Sequence, residues 1–274
     1  MNPGSPSTDE ALAIETAELT RRFGSYVAVD RLNLRVVRGT VFGLLGANGA
    51  GKSTTIKMLT TLLPPTSGQA TVAGFDIVTK SQAVRSRIGY VPQMLSADGA
   101  LTGRENLRLS ASLYGMDGAV ARSRMADALA FMGLEAFGDK LVKTYSGGMI
   151  RRLELAQAML HQPSVLFLDE PTIGLDPTAR HSVWDRLRDL RDRSGMTILL
   201  TTHDMEEADA LCGELAILLQ GVVAVSGKPA ELKAALGAEA TLDDVFAHYS
   251  GGTIQQGGRY IDVRQARNTA RRLG

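Results

Sequence analysis

The rhythm of apolar positions changes three times along the chain. Between residues 12 and 40, short β-rich runs (LAIETAEL, YVAVD, LNLRVV) are separated by turn-like breaks at RRFGS and RGT. VFGLL at 41–45 is continuously apolar, the pattern of a strand buried on both faces. A glycine-rich loop follows, then STTIKMLTTLL, where Ile56, Leu59, Leu62 and Leu63 recur at helical spacing and Pro64-Pro65 is expected to stop the helix. Residues 100–160 read as helix after helix: TGRENLRLSASLYG, DGAVARSRMADALAFMGL, and a third opening at Ser146-Gly147-Gly148. After Pro163 strand and helix alternate again: VLFLD, a helix near 178–194, TILLTT, a helix near 204–211, then ELAILLQ and VVAVSG. A short amphipathic stretch, TLDDVFAHY, closes the patterned region at 249. The pattern predicts an α/β core interrupted by a helical insertion. The expected division is one domain over 11–249, with its core at about 11–94 and 163–222 and the insertion at about 95–162. Residues 1–10 read as a flexible lead and 250–274 as a Gly-rich tail of the kind that can be disordered.

Bulk composition narrows the function classes. A chain of 274 residues with 44% apolar content can bury a large core. Its net charge of +1 and its 5% aromatic content argue against a nucleic-acid surface. The single cysteine, Cys212, makes no internal disulfide and fits a reducing compartment. The polar, acidic start lacks the basic region of a secretory signal. The apolar run LAILLQGVVAV at 215–225 is too short to span a bilayer. A soluble, cytoplasmic protein is expected.

Two stretches carry chemistry. Gly46-Ala47-Asn48-Gly49-Ala50-Gly51-Lys52-Ser53 fits the phosphate-loop pattern GxxxxGK[ST], directly after the buried strand and before a helix. Glycines let backbone N–H groups converge on an anion, and the helix N-terminus adds a favourable dipole. Lys52 would reach the β- and γ-phosphates of a nucleoside triphosphate, and Ser53 would ligate Mg²⁺. Farther on, VLFLDE ends an apolar strand in two carboxylates. Acids at such a strand end want a cation or solvent, and parallel sheets place ligands at that edge. Asp169 is the expected Mg²⁺ ligand and Glu170 the residue polarising an attacking water.

With these motifs in order, the sequence resembles the nucleotide-binding subunits of ATP-binding-cassette (ABC) transporters over about residues 11–249. GANGAGKST (through Thr54) and VLFLDEP are joined by Gln93 in YVPQ, the SGGM stretch at 146–149, GLD at 174–176 and His203 in TTHD. The resemblance implies a P-loop NTPase core of RecA-like type, with an N-terminal antiparallel β subdomain and an inserted α-helical subdomain. It implies that Phe23, with Tyr26 as rival, stacks on adenine; that Gln93 reaches Mg²⁺ and the attacking water; and that His203 bonds the γ-phosphate. It further implies that Ser146, Gly147 and Gly148 hold the γ-phosphate bound by a second subunit, and that Asp176 shapes the dimer interface. On that reading a Cβ at either glycine would keep the backbone off the phosphate. The plainer reading of Ser146 is an N-cap at a helix-entry turn.

The chain departs from the family pattern at Tyr145, Met149, Ile173 and Ala47. YSGGM followed by Arg151-Arg152-Leu153, with a C-terminal TLDDVF, resembles the daunorubicin-resistance type of exporter ATPase, which works with a separately encoded membrane subunit. The implied protein is an ATPase with Mg²⁺ as cofactor, acting as a dimer, with identical copies expected. It would be peripheral on the inner face of the membrane and drive efflux of a drug, lipid or polysaccharide. Docking of the membrane subunit is expected in a groove near residues 93–107. The alternatives are an importer ATPase and a soluble cassette ATPase acting on ribosomes or DNA. The tail arginines Arg259, Arg264, Arg267, Arg271 and Arg272 read as a solvated end or as a contact to anionic lipid or the partner subunit.

Overall fold

A computed structural model describes residues 11–251 and the backbone of 253–256 and 259–262. The chain opens with two long strands, β1 (Leu12–Phe23) and β2 (Tyr26–Val37), paired antiparallel. Arg21, Arg22 and Phe23 continue β1 rather than breaking it, so the expected turn at RRFGS shrinks to Gly24-Ser25. The pair accommodates its length through register shifts between Thr16 and Leu19 and between Leu19 and Arg21. β3 (Val41–Leu45) leads into the phosphate loop and α1 (Lys52–Leu59). That helix ends before Pro64-Pro65: the Thr60 hydroxyl donates to the Ile56 carbonyl (2.8 Å) and Thr61 turns left-handed at φ 64°. Leu62 is therefore exposed, while Leu63 packs against the core.

β4 (Ser67–Val72) and β5 (Phe75–Asp76) complete an antiparallel sheet of order β2-β1-β4-β5. After α2 (Ser81–Arg85) and β6 (Ile88–Val91) comes the helical layer. It holds α3 (Gly103–Leu113), α4 (Gly118–Phe131) and α5 (Gly147–Met159). Thr102 and Glu105 cap α3 reciprocally. Strand and helix then alternate through β7 (Val165–Asp169), α6 (Pro177–Ser194), β8 (Thr197–Thr202) and α7 (Met205–Leu211). β9 (Glu214–Leu219), β10 (Val222–Gly227), α8 (Pro229–Ala234) and α9 (Leu242–Tyr249) follow. β11 (Thr253–Gln256) and β12 (Arg259–Asp262) pair antiparallel. Residues 1–10 and the tail arginines Arg264, Arg267, Arg271 and Arg272 lie outside the described residues.

The second sheet has the order β10-β9-β3-β8-β7-β6, parallel except for β10. Alternation along its strands sorts side chains between two cores. Phe42, Leu44, Phe167, Leu199 and Leu218 join α1 and the antiparallel sheet. Leu45, Leu166, Leu168, Leu200 and Ile217 join the helices that include α5 and α6. Burial on both faces is why these strands read as unbroken apolar runs. Their parallel register brings the carboxyl ends of β3, β7 and β8 side by side, and each end carries one of the sequence-predicted motifs.

Candidate functional site

Leaving β3, the chain wraps through residues 46–51 and enters α1 at Gly51, which sits at φ 105°. A Cβ at Gly51 would also lie 2.5 Å from the Ala28 carbonyl oxygen, so both conformation and space demand glycine. Lys52 is buried. Its Nζ donates to the carbonyls of Gly46 (2.7 Å) and Ala47 (3.2 Å) and pairs with Glu170 Oε1 at 3.0 Å. Two N–H groups of the loop are spent internally, Gly46 on the Thr202 carbonyl and Ala50 on that of Ala47.

Glu170 follows β7 in a left-handed conformation, φ 49°, unusual outside glycine and a mark of local strain. Thr201 stabilises it: the Glu170 N–H donates to the Thr201 carbonyl (3.1 Å) and hydroxyl (3.0 Å). The other carboxylate oxygen, Oε2, lies 3.0 Å from His203 Nδ1. A carboxylate oxygen accepts, so Nδ1 carries the hydrogen of this contact. Asp169 Oδ1 accepts from Ser53 Oγ (3.0 Å) and from Thr201 Oγ1 (2.7 Å). Lys52, Ser53, Asp169, Glu170 and His203 therefore form one connected cluster.

A cleft of about 320 Å³ opens beside it, lined by Phe23, Tyr26, Ala47, Asn48, Gly49, Gly51, Lys52, Ser53, Thr54, Gln93 and Glu170. Phe23 and Tyr26 face each other across the β1–β2 turn and both are exposed, with the Arg21 guanidinium 4.6 Å from the Phe23 ring centre. Ser146, Gly147, Gly148 and Asp176 do not line this cleft. Ser146 caps α5, its hydroxyl accepting from the Met149 N–H (3.3 Å), and Asp176 caps α6, accepting from Ala179 (3.0 Å). The glycine pair has a packing reason within the chain. A Cβ at Gly148 would stand 2.7 Å from that of Ala179, and one at Gly147 would stand 3.2 Å from Leu175 Cδ2. The N-terminus of α5 thus abuts the N-terminal turn of α6.

Four residues that sequence reasoning passed over surround the cluster. Thr201 and Thr202 lie in a fully buried strand, where hydroxyls need partners; that polarity in TILLTT was a readable signal. Glu207 is also buried. Its Oε1 accepts from Thr172 Oγ1 (2.7 Å) and Trp184 Nε1 (3.0 Å), tying the loop after Glu170 to α7. Burial pushes the Glu207 carboxyl above the usual carboxylate range, opposed by hydrogen bonds from Thr172, Thr202 and Trp184. Asp204 caps α7 and pairs with Arg180 at 2.8 Å.

Comparison with known proteins bears on this arrangement. Residues 29–173 match the family described as ABC transporter. The chain is 48% identical over 231 residues to the daunorubicin/doxorubicin resistance ATP-binding protein DrrA of Streptomyces peucetius, covering 84% of this chain and 70% of the relative. It is 44% identical over 230 residues to the Nod factor export ATP-binding protein I of Ralstonia nicotianae, covering 84% and 71%. Its fold matches the ATP-binding cassette MJ0796, a dimer in a post-hydrolysis state bound to ADP and Pi, with a TM-score of 0.70 and 25% identity over 78% of this chain and 98% of that one.

Proposed function

This chain belongs to the ABC transporter family as an ATP-binding ATPase subunit, and from that premise we propose that it drives export through a separate membrane subunit. The observation carrying the catalytic assignment is the contact of the buried Glu170 carboxylate with both Lys52 and the half-exposed His203, beside the phosphate loop. Lys52 exchanges Glu170 for the β- and γ-phosphates of ATP. The freed Glu170 polarises the attacking water, and His203 holds the γ-phosphate. Residues 46–54 cradle the phosphates, and adenine rests on Phe23 or Tyr26 in the same cleft. The oxygens of Ser53 and Asp169, bonded to each other, with the amide of Gln93 on the cleft wall, are hard donors that suit Mg²⁺. When bound, Mg²⁺ supplies charge neutralisation at the phosphate oxygens.

Ser146 and Gly147 are exposed and stand apart from their own chain's cleft, and the α5 N-terminus is suited to an anion. In our reading they and Gly148 grip the γ-phosphate held by a second copy, with Asp176 at the seam of a homodimer. The dimeric cassette relative supports this. The membrane subunit docks in a groove of about 460 Å³ between core and helical layer, which exposes Leu62, Leu113 and Tyr114. Among the described residues no helix is long and apolar enough to cross a membrane, so the motor is held at the inner face through that partner. The names of the relatives, one a daunorubicin/doxorubicin resistance protein and the other a Nod factor export protein, favour export; in our reading the cargo is of the drug, lipid or polysaccharide class. The test is Glu170→Gln: steady-state ATP hydrolysis should fall at least 100-fold, and the variant should elute as a dimer with MgATP. Parental turnover would remove Glu170 from the mechanism.

A further inference from the structure

Arg151 and Glu154 sit on α5, one turn beyond the Ser146-Gly147-Gly148 entry, and form an ion pair at 2.9 Å with only 2% of each side chain exposed. Removing two charges from water costs several kcal/mol. A pair of methionines would fill similar space without that penalty, so the polar partners of this pair need an account. They converge on one loop. Arg151 Nη1 donates to the Pro92 carbonyl (2.7 Å) and Nη2 to the Gln93 carbonyl (2.8 Å). Glu154 Oε1 accepts from both the backbone N–H and the hydroxyl of Ser96. Two residues on, the buried Asn106 of α3 takes the Asp98 N–H (2.9 Å) and donates to its carbonyl (3.0 Å). Gln157 of α5 then ties α3 to α5 through Ser110 Oγ (3.0 Å). The neighbouring Arg152 holds the other side of α5, donating to the Met132 carbonyl at the end of α4 (2.8 Å).

We propose that Arg151 and Glu154 are positioning residues that clamp the Gln93 loop to α5, so that Gln93 and the Ser146 entry move as one body. The proposal rests on the reading above, in which Gln93 faces this chain's nucleotide and Ser146 faces the second copy's. A rigid link between them makes occupancy of the near site and presentation of the far-side contact a single event. Glu154 also lines the groove assigned to the membrane subunit, so a load applied there reaches Gln93 through the same pair. The fork of Arg151 is specific to the task. Its two Nη groups serve two carbonyls and a carboxylate at once, which a lysine ammonium cannot do with the same geometry.

The test is a double-mutant cycle in the full chain, reading kcat and KM for MgATP hydrolysis in the parent, Gln93→Ala, Arg151→Lys and the double variant. Arg151→Lys should lower kcat about tenfold or more, as misplacement of a site residue does. KM should stay within about twofold, because the phosphate loop is untouched. In the double variant the loss should equal that of Gln93→Ala alone. If Gln93→Ala lowers kcat and the two losses multiply, Arg151 does not act through Gln93 and the clamp is refuted while the catalytic reading stands. If Gln93→Ala turns over at the parental rate, the role assigned to Gln93 fails and the clamp fails with it. The paired replacement Arg151→Met with Glu154→Met guards against a folding artefact, since buried ion pairs often exchange for apolar pairs without loss of stability. It should melt near the parental temperature, lose kcat as Arg151→Lys does, and release the Ser96 amide to faster hydrogen exchange with β6 and β7 still protected. Parental kcat and parental exchange at Ser96 in that folded variant would overturn the proposal.

Discussion

Glu170→Gln is expected to bind ATP more tightly than the parent even where no dimer forms. In the structure the Lys52 ammonium is held by Glu170 at 3.0 Å and by the Gly46 and Ala47 carbonyls. ATP must displace the first of these. At an effective dielectric of about 20, a charge pair at that distance attracts by roughly 5 kcal/mol. Removing one member of a buried pair typically costs about 3–5 kcal/mol. The two carbonyls and the new amide oxygen return part of this, about 1.5–3 kcal/mol for hydrogen bonds to a charged group. The unpaired lysine therefore leaves the free variant about 1–3 kcal/mol less stable, strain that phosphate relieves. The dissociation constant should fall by about 5- to 150-fold. Titration calorimetry with MgATP, at protein concentrations where light scattering shows a monomer, measures it directly. Melting without nucleotide should show a lower Tm for the variant, and ATP should raise that Tm by more than it raises the parent's. A parental dissociation constant together with a parental nucleotide-free Tm would show that the Lys52–Glu170 contact does not compete with nucleotide.

Three further substitutions probe separate links. Gly148→Ala places a methyl against Ala179; overpacking of this kind costs about 1–3 kcal/mol, read as a lower denaturant midpoint, with ATP-induced dimerisation weakened because the α5 entry is displaced. Glu207→Gln keeps an acceptor for Thr172 and Trp184 and removes a carboxyl whose affinity for protons is raised by burial. A raised folded-state value means the folded chain holds the proton longer, so the parent loses stability as pH rises through that value. The Tm advantage of the variant should accordingly grow from pH 5 to pH 8; an advantage that shrinks over this range would contradict the buried-carboxyl account. Leu113→Asp, at an 80% exposed position in the groove, should abolish co-purification with the membrane subunit and leave ATP turnover of the isolated chain within about twofold.

The parts of this site that were legible in the sequence are those where one short segment carries both structure and chemistry. The phosphate loop announces itself because strand, glycines, lysine and helix are contiguous. Asp169 and Glu170 announce themselves because they terminate an apolar run. What escaped is made by contacts between distant segments. Thr201 meets Asp169 across 32 positions and Glu207 meets Thr172 across 35, and no local spacing encodes either. The first two strands were cut short because Arg21 and Arg22 interrupt the apolar alternation. Yet Arg21 reaches across to the Pro64 carbonyl, and the bulges that let the strands continue depend on left-handed Glu18 and Arg31, residues with no turn signature. The end of α1 escapes the sequence pattern for a different reason: the prolines are a strong stop, but the Thr60 hydroxyl bonded back to Ile56 stops the helix first.

Gly147 and Gly148 show why a motif does not by itself reveal which constraint its residues answer to. The intrachain contacts with Leu175 and Ala179 require small residues here whether or not a phosphate ever approaches. The two demands nevertheless differ by position. Gly148 is buried against α6, so its packing alone accounts for the missing side chain. Gly147 is exposed and its nearest neighbour is the flexible end of Leu175 at 3.2 Å, a contact that a methyl could relieve by a small shift. Folding therefore supplies a weak reason for glycine at 147 and a strong one at 148, and the external ligand is needed chiefly to explain the first. Alanine at 147 should then leave the Tm nearly unchanged while weakening ATP-driven dimerisation of the Glu170→Gln background by about tenfold. Should Gly147→Ala dimerise as readily as its parent, the far-side grip would not run through this backbone, and the glycine pair would be a packing feature alone.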